Sequence, residues 1–265
     1  MDTFAVLLSC MHEKDYEIIR RSNINSNCVI INQCNENSKE IITIENNKNC
    51  LWINTLERGL SRSRNMAISN AKAGICLIAD DDEIFVNDIE SLILEAYKKI
   101  PQADIIVFDI KNYRKNIRNK IFKFKRLQLL RVSSVQITFK KNSIKENNIK
   151  FDVKLGAGTG NGAGEENKFL LEAYDKGLQI YHYPVNIARL IKNNESTWFK
   201  GYDEDYFYKR GVSTRYILGA WLSCVYAVYF LIFKHNLYKN NIKFLKALKI
   251  IFKGIFDNKL KNEVR

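Results

Sequence analysis

Residues 74–85 read Gly-Ile-Cys-Leu-Ile-Ala-Asp-Asp-Asp-Glu-Ile-Phe, an apolar run of strand length that ends abruptly in three consecutive carboxylates. Such a run is typical of a buried strand that leaves its sheet at Asp80. Like charges repel one another, and Asp80, Asp81 and Asp82 are tolerated most readily where Mg²⁺ or Mn²⁺ lies among them. A solvated acidic turn ahead of the helix predicted from about Asn87 is the other interpretation, because acids also favour a helix start.

Length and composition indicate a globular protein. At 265 residues, with 27% charged and 46% hydrophobic residues, the chain has room for one domain and an appended region. Its six cysteines form no Cys-x-x-Cys pair, which indicates reduced thiols in the cytosol and argues against a zinc site. The N-terminus lacks both parts of a secretory signal, so an intracellular start is expected.

The net charge of +13 is concentrated in two segments. Between Lys111 and Arg131 there are nine Lys and Arg and no acids, and between Arg210 and Arg265 there are eleven against two acids. The rest of the chain is slightly negative. Two basic surfaces of this kind imply an anionic partner, which could be nucleic acid or the headgroups of a membrane.

Apolar strands alternate with helical patterns along the first two thirds of the chain, which predicts an α/β sheet with parallel pairing. The strands are expected at Thr3–Cys10, Val29–Asn32, Ile41–Ile44, Gly74–Asp80, Asp104–Ile110 and Gln179–Tyr183. The helices are expected at Glu13–Arg21, Leu60–Ala73, Asn87–Lys99 and Glu165–Lys176.

Glu57-Arg58-Gly59-Leu60-Ser61-Arg62-Ser63-Arg64-Asn65 opens the second of these helices. Three arginines near a helix start oppose the helix dipole, although the same guanidinium forks and free backbone N–H groups suit a phosphate or pyrophosphate. A solvated first turn is the alternative, and the misfit with the dipole favours function.

Glycine occupies every second position from Gly156 to Gly164, which predicts a mobile lid, and Glu165 and Glu166 follow directly. The segment does not match the dinucleotide pattern G-x-G-x-x-G. Two acids in a first helical turn interact favourably with the helix dipole. Because they directly follow such a loop, one of them could also act as a general base. His182, in the last predicted strand, is either a structural histidine or a further metal ligand.

In order and spacing, these motifs resemble an inverting glycosyltransferase of family 2, over roughly residues 3–185. The resemblance implies the GT-A fold: a mostly parallel central sheet flanked by helices. It also implies Mn²⁺ or Mg²⁺ as cofactor and a nucleoside-diphosphate sugar, most often a UDP-sugar, as donor. Relatives of this kind build bacterial surface polysaccharides by transferring hexosyl or N-acetylhexosaminyl groups to glycan acceptors, often lipid-linked.

Carried over residue by residue, the resemblance predicts three sets of site residues. Glu166 is the expected base, with Glu165 beside it. The expected metal ligands of the D-x-D motif are Asp82 and Asp80, with His182 as a third. The expected nucleotide-sugar contacts are Ser9, Gln33, Arg58, Arg64, Asn65, Asp80 and Asp81. One departure concerns Asn32-Gln33, which stands where many members carry an Asp that holds the base.

Two other functions account for part of the pattern. A sugar-phosphate nucleotidyltransferase is also α/β and metal dependent, but its glycine-rich signature near the first strand is missing. A basic nucleic-acid-binding protein would explain the charge and leave the acidic motifs unexplained, and no nucleic-acid motif is present, so no nucleic-acid partner is expected.

The carboxy-terminal region, residues 210–265, is expected to be an appended helical extension of a catalytic domain at 1–209. Tyr216–Phe233 is free of charge over 18 residues, at the lower limit for a membrane span. Beyond it, five lysines share one helical face: Lys239, Lys243, Lys246, Lys249 and Lys253. The opposite face is apolar, with Phe244, Leu245, Leu248, Ile251, Phe252 and Ile255, which is the pattern of an interfacial helix. We therefore expect a cytoplasmic protein that is peripheral at the inner face of the cell membrane, on anionic lipid. Packing of the apolar run on the catalytic domain is the alternative.

Overall fold

The computed structural model describes residues 3–111, 119–191 and 201–260. The chain divides into two units. The first comprises Met1–Arg58, Arg62–Phe151 and Phe169–Asn194, and the second comprises Gly59–Ser61, Asp152–Lys168 and Glu195–Arg265. Part of the predicted basic segment, residues 112–118, lies outside the described residues.

The described residues form ten strands and eight α-helices. The strands are β1 (Phe4–Met11), β2 (Cys28–Gln33), β3 (Ser38–Ile44), β4 (Lys48–Thr55), β5 (Ile75–Asp80), β6 (Glu83–Phe85), β7 (Ile105–Lys111), β8 (Phe122–Lys123), β9 (Ile137–Lys140) and β10 (Ile180–Leu190). The helices are α1 (Glu17–Arg21), α2 (Leu60–Asn70), α3 (Ile89–Lys99), α4 (Lys141–Glu146), α5 (Glu165–Asp175), α6 (Glu204–Phe233), α7 (His235–Tyr238) and α8 (Phe244–Asp257).

All ten strands belong to one sheet, in the order β3-β4-β2-β1-β5-β9-β7-β10-β6, with β8 paired to β10. The block β4-β2-β1-β5 is parallel, as is the pair β7 and β10. Strands β3, β6, β8 and β9 add antiparallel pairs. β1, β2 and β5 are buried along almost their whole length, which is why they read as continuous apolar runs.

The strands β4, β9 and the short β6 were not among those predicted from the sequence. β4 (Lys48–Thr55) has an apolar centre between polar ends, and β9 is only four residues long. Neither carries the long apolar run that marks a central strand. β4 pairs with its hairpin neighbour β3 and with β2, and β9 pairs with β5 and β7. Tertiary contacts decide such strands more than local pattern does.

The carboxyl ends of β1, β2 and β5 meet at the point where the strand order reverses. The chain passes from β1 to β2 on one side of β1, and the sheet continues to β5 on the other side. Register places Ser9 opposite Asp80 and Met11 opposite Gln33. Ligands of open α/β sheets bind at such a switch point, outside the carboxyl ends of the strands.

In the second unit, α6 folds back on itself at Gly219, which has φ 78° and ψ 179°. Phe207 and Phe230 have ring centroids 6.4 Å apart. In a straight helix, 23 residues of separation would put them about 34 Å apart. The predicted 18-residue apolar run therefore does not form one straight helix.

Asp203 caps α6, its Oδ1 accepting a hydrogen bond of 2.8 Å from the N–H of Tyr206. The boundary predicted between residues 209 and 210 consequently falls inside this helix. The charged residues before 210 form its first turns, and a change in composition did not mark its start.

α8 packs against α6 at two glycines. A Cβ on Gly211 would collide with the carbonyl oxygen of Ile251, and a Cβ on Gly254 with that of Tyr208. This packing buries Ile251 and Ile255 in a core of its own. Part of the apolar face of α8 that the sequence assigned to a membrane is therefore occupied by α6.

Candidate functional site

The acidic turn after β5 begins with a neutralised carboxylate. Arg64 Nη2 donates to both oxygens of Asp80, at 2.7 and 3.0 Å, and Ser134 Oγ donates to Oδ2 at 3.3 Å. Arg64 is only 1% exposed and also lies over the Phe151 ring, 5.3 Å from its centroid. Asp80 therefore forms a partly buried ion pair with Arg64 inside the first unit.

Asp81 and Asp82, the next two acids of the turn, lie close to one another and to Asp80. Burial, followed by the charges of Asp80 and Asp82, raises the pKa of Asp81 to about 6. Burial and the Asp80 charge also raise the pKa of Asp82. Each carboxylate resists ionisation because desolvation and like charges disfavour its anion. A divalent cation would reverse that preference.

Glu83 stabilises the backbone of the turn from the buried side. Its side chain is fully buried, and Oε1 accepts a hydrogen bond of 3.2 Å from the N–H of Asp80. Oε2 has no hydrogen-bond partner among the described residues, and burial raises the pKa of this carboxyl well above its ordinary value. The N–H of Ile191 donates to the carbonyl of Asp82 at 2.8 Å, which ties the turn to the end of β10.

The donor set of this turn suits a hard cation. Among the described residues, no group of three or more His, Cys, Asp and Glu side chains is arranged to hold a metal ion by itself. Asp81 and Asp82 supply carboxylate oxygens, which Mg²⁺ and Mn²⁺ prefer. Mg²⁺ usually completes its coordination with water and substrate phosphates rather than with a cage of protein ligands. The turn fits that kind of site.

His182 does not fit the role of metal ligand predicted for it. The side chain is fully buried, with Nε2 3.1 Å from Asp109 Oδ1 and Nδ1 3.1 Å from the carbonyl oxygen of Lys120. Phe122 lies against its ring, at 5.0 Å between centroids. Both ring nitrogens have protein partners, so His182 is a core residue that joins β10 to its neighbours.

At the carboxyl ends of the parallel strands, Ser9 is buried and its Oγ accepts a hydrogen bond of 2.7 Å from Ser63 Oγ. Gln33, which is also buried, ends β2. Its neighbour Asn32 has a saturated amide: Nδ2 donates to the Glu13 carbonyl and to Asn54, and Oδ1 accepts from the Glu13 N–H.

The two other predicted nucleotide contacts have structural partners. Asn65 clamps the backbone of Phe151, donating to its carbonyl at 2.8 Å and accepting from its N–H at 2.9 Å. Arg58 donates to the carbonyls of Thr55 and Leu56, at 3.0 and 2.9 Å. Arg58 and Asn65 therefore have structural contacts within the chain, as Arg64 does with Asp80.

The second unit contains the glycine-rich segment, residues 156–164. All five glycines have positive φ, a conformation that only glycine adopts freely. The N–H of Gly156 donates to the carbonyl of Gly162 at 3.0 Å, and Ser61 Oγ donates to the carbonyl of Leu155 at 2.8 Å. These hydrogen bonds argue against the open, mobile lid that the sequence predicts.

Glu165 and Glu166 differ in exposure. Glu165 is 5% exposed, and its Oε2 accepts a hydrogen bond of 3.1 Å from the N–H of Gly164. A Cβ on Gly156 would lie 3.2 Å from its carboxyl carbon, so the glycine leaves room for this carboxylate. Glu166 is half-buried. The more accessible second carboxylate is the one that the sequence names as base.

Two residues that hold the acidic turn in place, Ser134 and Glu83, were not predicted from the sequence as part of the site. Ser134 contacts Asp80 from 54 residues away, and no local pattern marks it. Glu83 lies in the motif itself, and its burial follows from its position in β6, opposite Leu190. In a strand that follows the turn, side chains alternate between the two faces of the sheet, and this alternation could have indicated that Glu83 is buried.

No family model matches the sequence, and no curated protein matches it. Among solved structures, S. aureus TarS 1–349 superposes with a TM-score of 0.61 at 14% identity, over 96% of this chain and 81% of that one. Its complex with UDP-GlcNAc gives 0.63 at 15% identity, over the same shares. The mannosyltransferase PcManGT from Pyrobaculum calidifontis, in complex with GDP-Man and Mn²⁺, gives 0.52 at 10%, over 97% and 74%. The chain shares their fold, which confirms the predicted α/β fold class, and carries a carboxy-terminal apolar helix.

Proposed function

We propose that this chain is a glycosyltransferase that moves a sugar from a nucleoside-diphosphate sugar to a hydroxyl of a glycan acceptor, with a divalent metal ion. The observation that carries the proposal is the acidic turn Asp80–Asp82 at the switch point of the sheet. The fold supports it, because one solved structure of this fold is in complex with UDP-GlcNAc and another with GDP-Man and Mn²⁺.

On the donor side, Asp82 and Asp81 are the residues that would hold Mn²⁺ or Mg²⁺. When bound, the ion neutralises the charge that develops on the departing diphosphate. Arg64 neutralises the charge of Asp80, and Glu83 fixes the backbone of the turn. The carboxylates of Asp81 and Asp82 therefore keep their positions. Ser9 and Gln33, at the ends of β1 and β2, are the remaining candidates for nucleotide contacts.

On the acceptor side, Glu166 is the proposed general base. The acceptor oxygen forms a bond to the anomeric carbon while the bond from that carbon to the diphosphate oxygen breaks, and the hydroxyl proton passes to the Glu166 carboxylate. A single displacement inverts the configuration at the anomeric carbon. Glu165, held by the N–H of Gly164, fixes the first turn of α5.

The finer assignments rest on the family 2 resemblance. It supports a hexosyl or N-acetylhexosaminyl donor, most often linked to UDP, and a lipid-linked glycan acceptor in surface polysaccharide synthesis. It also supports a cytoplasmic enzyme that is peripheral at the inner face of the membrane. Pocket shape decides the sugar and the linkage, so these need a direct assay.

A donor screen tests the proposal. Purified full-length chain is incubated with a panel of nucleotide sugars and a lipid-diphosphate acceptor, with and without Mn²⁺, and the acceptor is followed by mass shift. We expect one donor to give a metal-dependent shift. Consumption of a nucleoside triphosphate with a sugar phosphate would instead indicate a nucleotidyltransferase. Salt-sensitive retention on heparin without any donor turnover would indicate a nucleic-acid-binding protein.

A further inference from the structure

The carboxy-terminal arm of α6, residues 220–233, carries an exposed apolar stripe. Its members recur at helical spacing on one face and are 40% to 77% exposed. They are Trp221, Val225, Val228, Tyr229, Ile232 and Phe233. Trp221 and Phe233, at the two ends, are 77% and 70% exposed. So long a row of exposed large side chains indicates a surface that is covered in use.

This arm is too short to cross a bilayer. After the break at Gly219, 14 residues remain, which span about 21 Å, against about 30 Å for a hydrocarbon core. The full helix passes a length and hydropathy test for a span, but its two arms fold back on each other. The structure therefore favours an arm that lies in the plane of a membrane.

The opposite side of the arm is occupied by protein. Ala227, Phe230 and Leu231 are buried in the core that α6 shares with α7 and α8. α8, packed against α6, exposes Lys249 and Lys253. Carrying those lysines into the hydrocarbon with the arm would be costly, whereas at the headgroup level they are favourable.

The positive charge near the apolar stripe favours anionic phospholipid as the partner that covers it. Between residues 216 and 260 all seven lysines are exposed, and the only acid is Asp257. They are Lys234, Lys239, Lys243, Lys246, Lys249, Lys253 and Lys259. A second copy of the chain would bring a second basic surface against the first, which costs energy, whereas anionic phospholipid attracts it. Trp221 and Tyr229 are also side chains that favour the membrane–water interface.

We infer that the exposed face of residues 220–233, with the lysines that follow it, is an in-plane docking surface for a leaflet that contains anionic phospholipid. The inference deepens the membrane part of the proposed function. α8 contributes Leu245 and Phe256, which are 75% and 72% exposed, beside its lysines. The buried residues Ile251 and Ile255, assigned to the membrane from the sequence, are excluded from this surface.

Flotation of the full chain with vesicles tests the inference. The vesicles are phosphatidylcholine alone and phosphatidylcholine with phosphatidylglycerol. Trp221→Ser with Phe233→Ser should lower binding to the anionic vesicles by about tenfold or more, because two large apolar side chains no longer leave water. The matched control is Leu127→Ser, at a 54% exposed apolar residue of the first unit, and it should bind normally.

Charge is tested by Lys249→Glu with Lys253→Glu, which should lower binding about tenfold or more on anionic vesicles. Lys98→Glu, at an exposed lysine of the first unit, is the control. Oriented circular dichroism on supported bilayers should show helices parallel to the membrane. All substituted residues are exposed, and thermal unfolding checks that each variant folds.

Four results would overturn the inference: no flotation of the wild-type chain, equal flotation of all variants, helices along the membrane normal, or a dimer in solution that Phe233→Ser abolishes. The proposed function is judged separately. Donor turnover on a soluble acceptor that persists without flotation leaves the enzyme intact and removes the docking surface. Flotation with no turnover of any donor would retain the docking surface and contradict the proposed enzymatic function.

Discussion

The acidic turn after β5 and the Glu165-Glu166 pair at the start of α5 each crowd carboxylates into a few residues, but they are held differently. In the turn, Asp80 has a guanidinium partner in Arg64, and the pKa values of Asp81 and Asp82 are raised. In the pair, the buried Glu165 accepts a backbone N–H. A crowded site with raised pKa values favours a cation, whereas a carboxylate anchored by the backbone positions its neighbour.

Removal of the Asp82 carboxylate should have the largest effect, because it should abolish Mn²⁺-dependent nucleotide binding as well as lower kcat. Asp82→Asn is expected to lower kcat by about 10² to 10³ or more, because a developing diphosphate charge loses the ion that stabilises it. The control is Asp88→Asn, at an exposed acid just beyond β6, which should leave kcat unchanged. Equal activity of both variants would separate the turn from catalysis.

The pair should respond asymmetrically. Glu166→Gln is expected to keep donor binding and to lower kcat by about 10² to 10⁴, as loss of a general base does. Glu165→Gln should chiefly lower the melting temperature, because it weakens the contact with Gly164. Kinetics and thermal unfolding of the two variants separate these roles. If Glu165→Gln is inactive while Glu166→Gln turns over normally, the base is Glu165.

The anchoring of Glu165 can be disturbed without touching a carboxylate. Gly156→Ala places a Cβ 3.2 Å from the Glu165 carboxyl carbon at a φ of 101°, and it should destabilise the fold by about 1 to 3 kcal/mol and lower kcat. Gly201→Ala is the matched control, since Gly201 has a φ of 114° and no atom of the described residues lies within 4 Å of a Cβ placed there. The control shares the backbone strain, so similar kcat values in the two variants would contradict a positioning role for Glu165.

The smallest expected effect is a pH dependence of the turn. The pKa of Asp81 is about 6 in the folded chain against 3.8 for the ordinary group. The native state therefore binds this proton more tightly than the unfolded state, so the free energy of unfolding falls as pH rises between about 4 and 6. Asp81→Asn should flatten that fall. Mn²⁺ competes with the proton, and its increase in Tm should be present at pH about 7.5 and lost near pH 5. A Tm increase that is independent of pH would contradict metal binding by Asp81.

The sequence predicted what depends on local pattern and missed what depends on distant partners. The apolar runs of β1, β2 and β5 identify central strands, and the turn after β5 follows from the same run. The buried environment of His182 depends on Asp109, 73 residues earlier, and no local pattern in the sequence indicates that contact. The fold-back of α6 was missed because Gly219 interrupts an apolar run without a charge or a proline, and only its φ and ψ reveal the turn.

The helical faces of the second unit teach the same lesson. α8 has an apolar face by sequence, and periodicity cannot distinguish a face that packs on protein from one that meets lipid. Gly211 and Gly254 allow α6 and α8 to approach closely, and that contact buries Ile251. The apolar side chains left exposed are then mainly those of residues 220–233.

Isothermal titration of UDP and GDP into the full chain, with and without Mn²⁺, tests most directly whether the acidic turn binds a metal-bridged diphosphate. We predict that one nucleotide binds only when Mn²⁺ is present, that Asp82→Asn abolishes this binding, and that Asp88→Asn retains it. Binding with the same Kd in the absence of Mn²⁺, or an unchanged Kd in Asp82→Asn, would contradict the account.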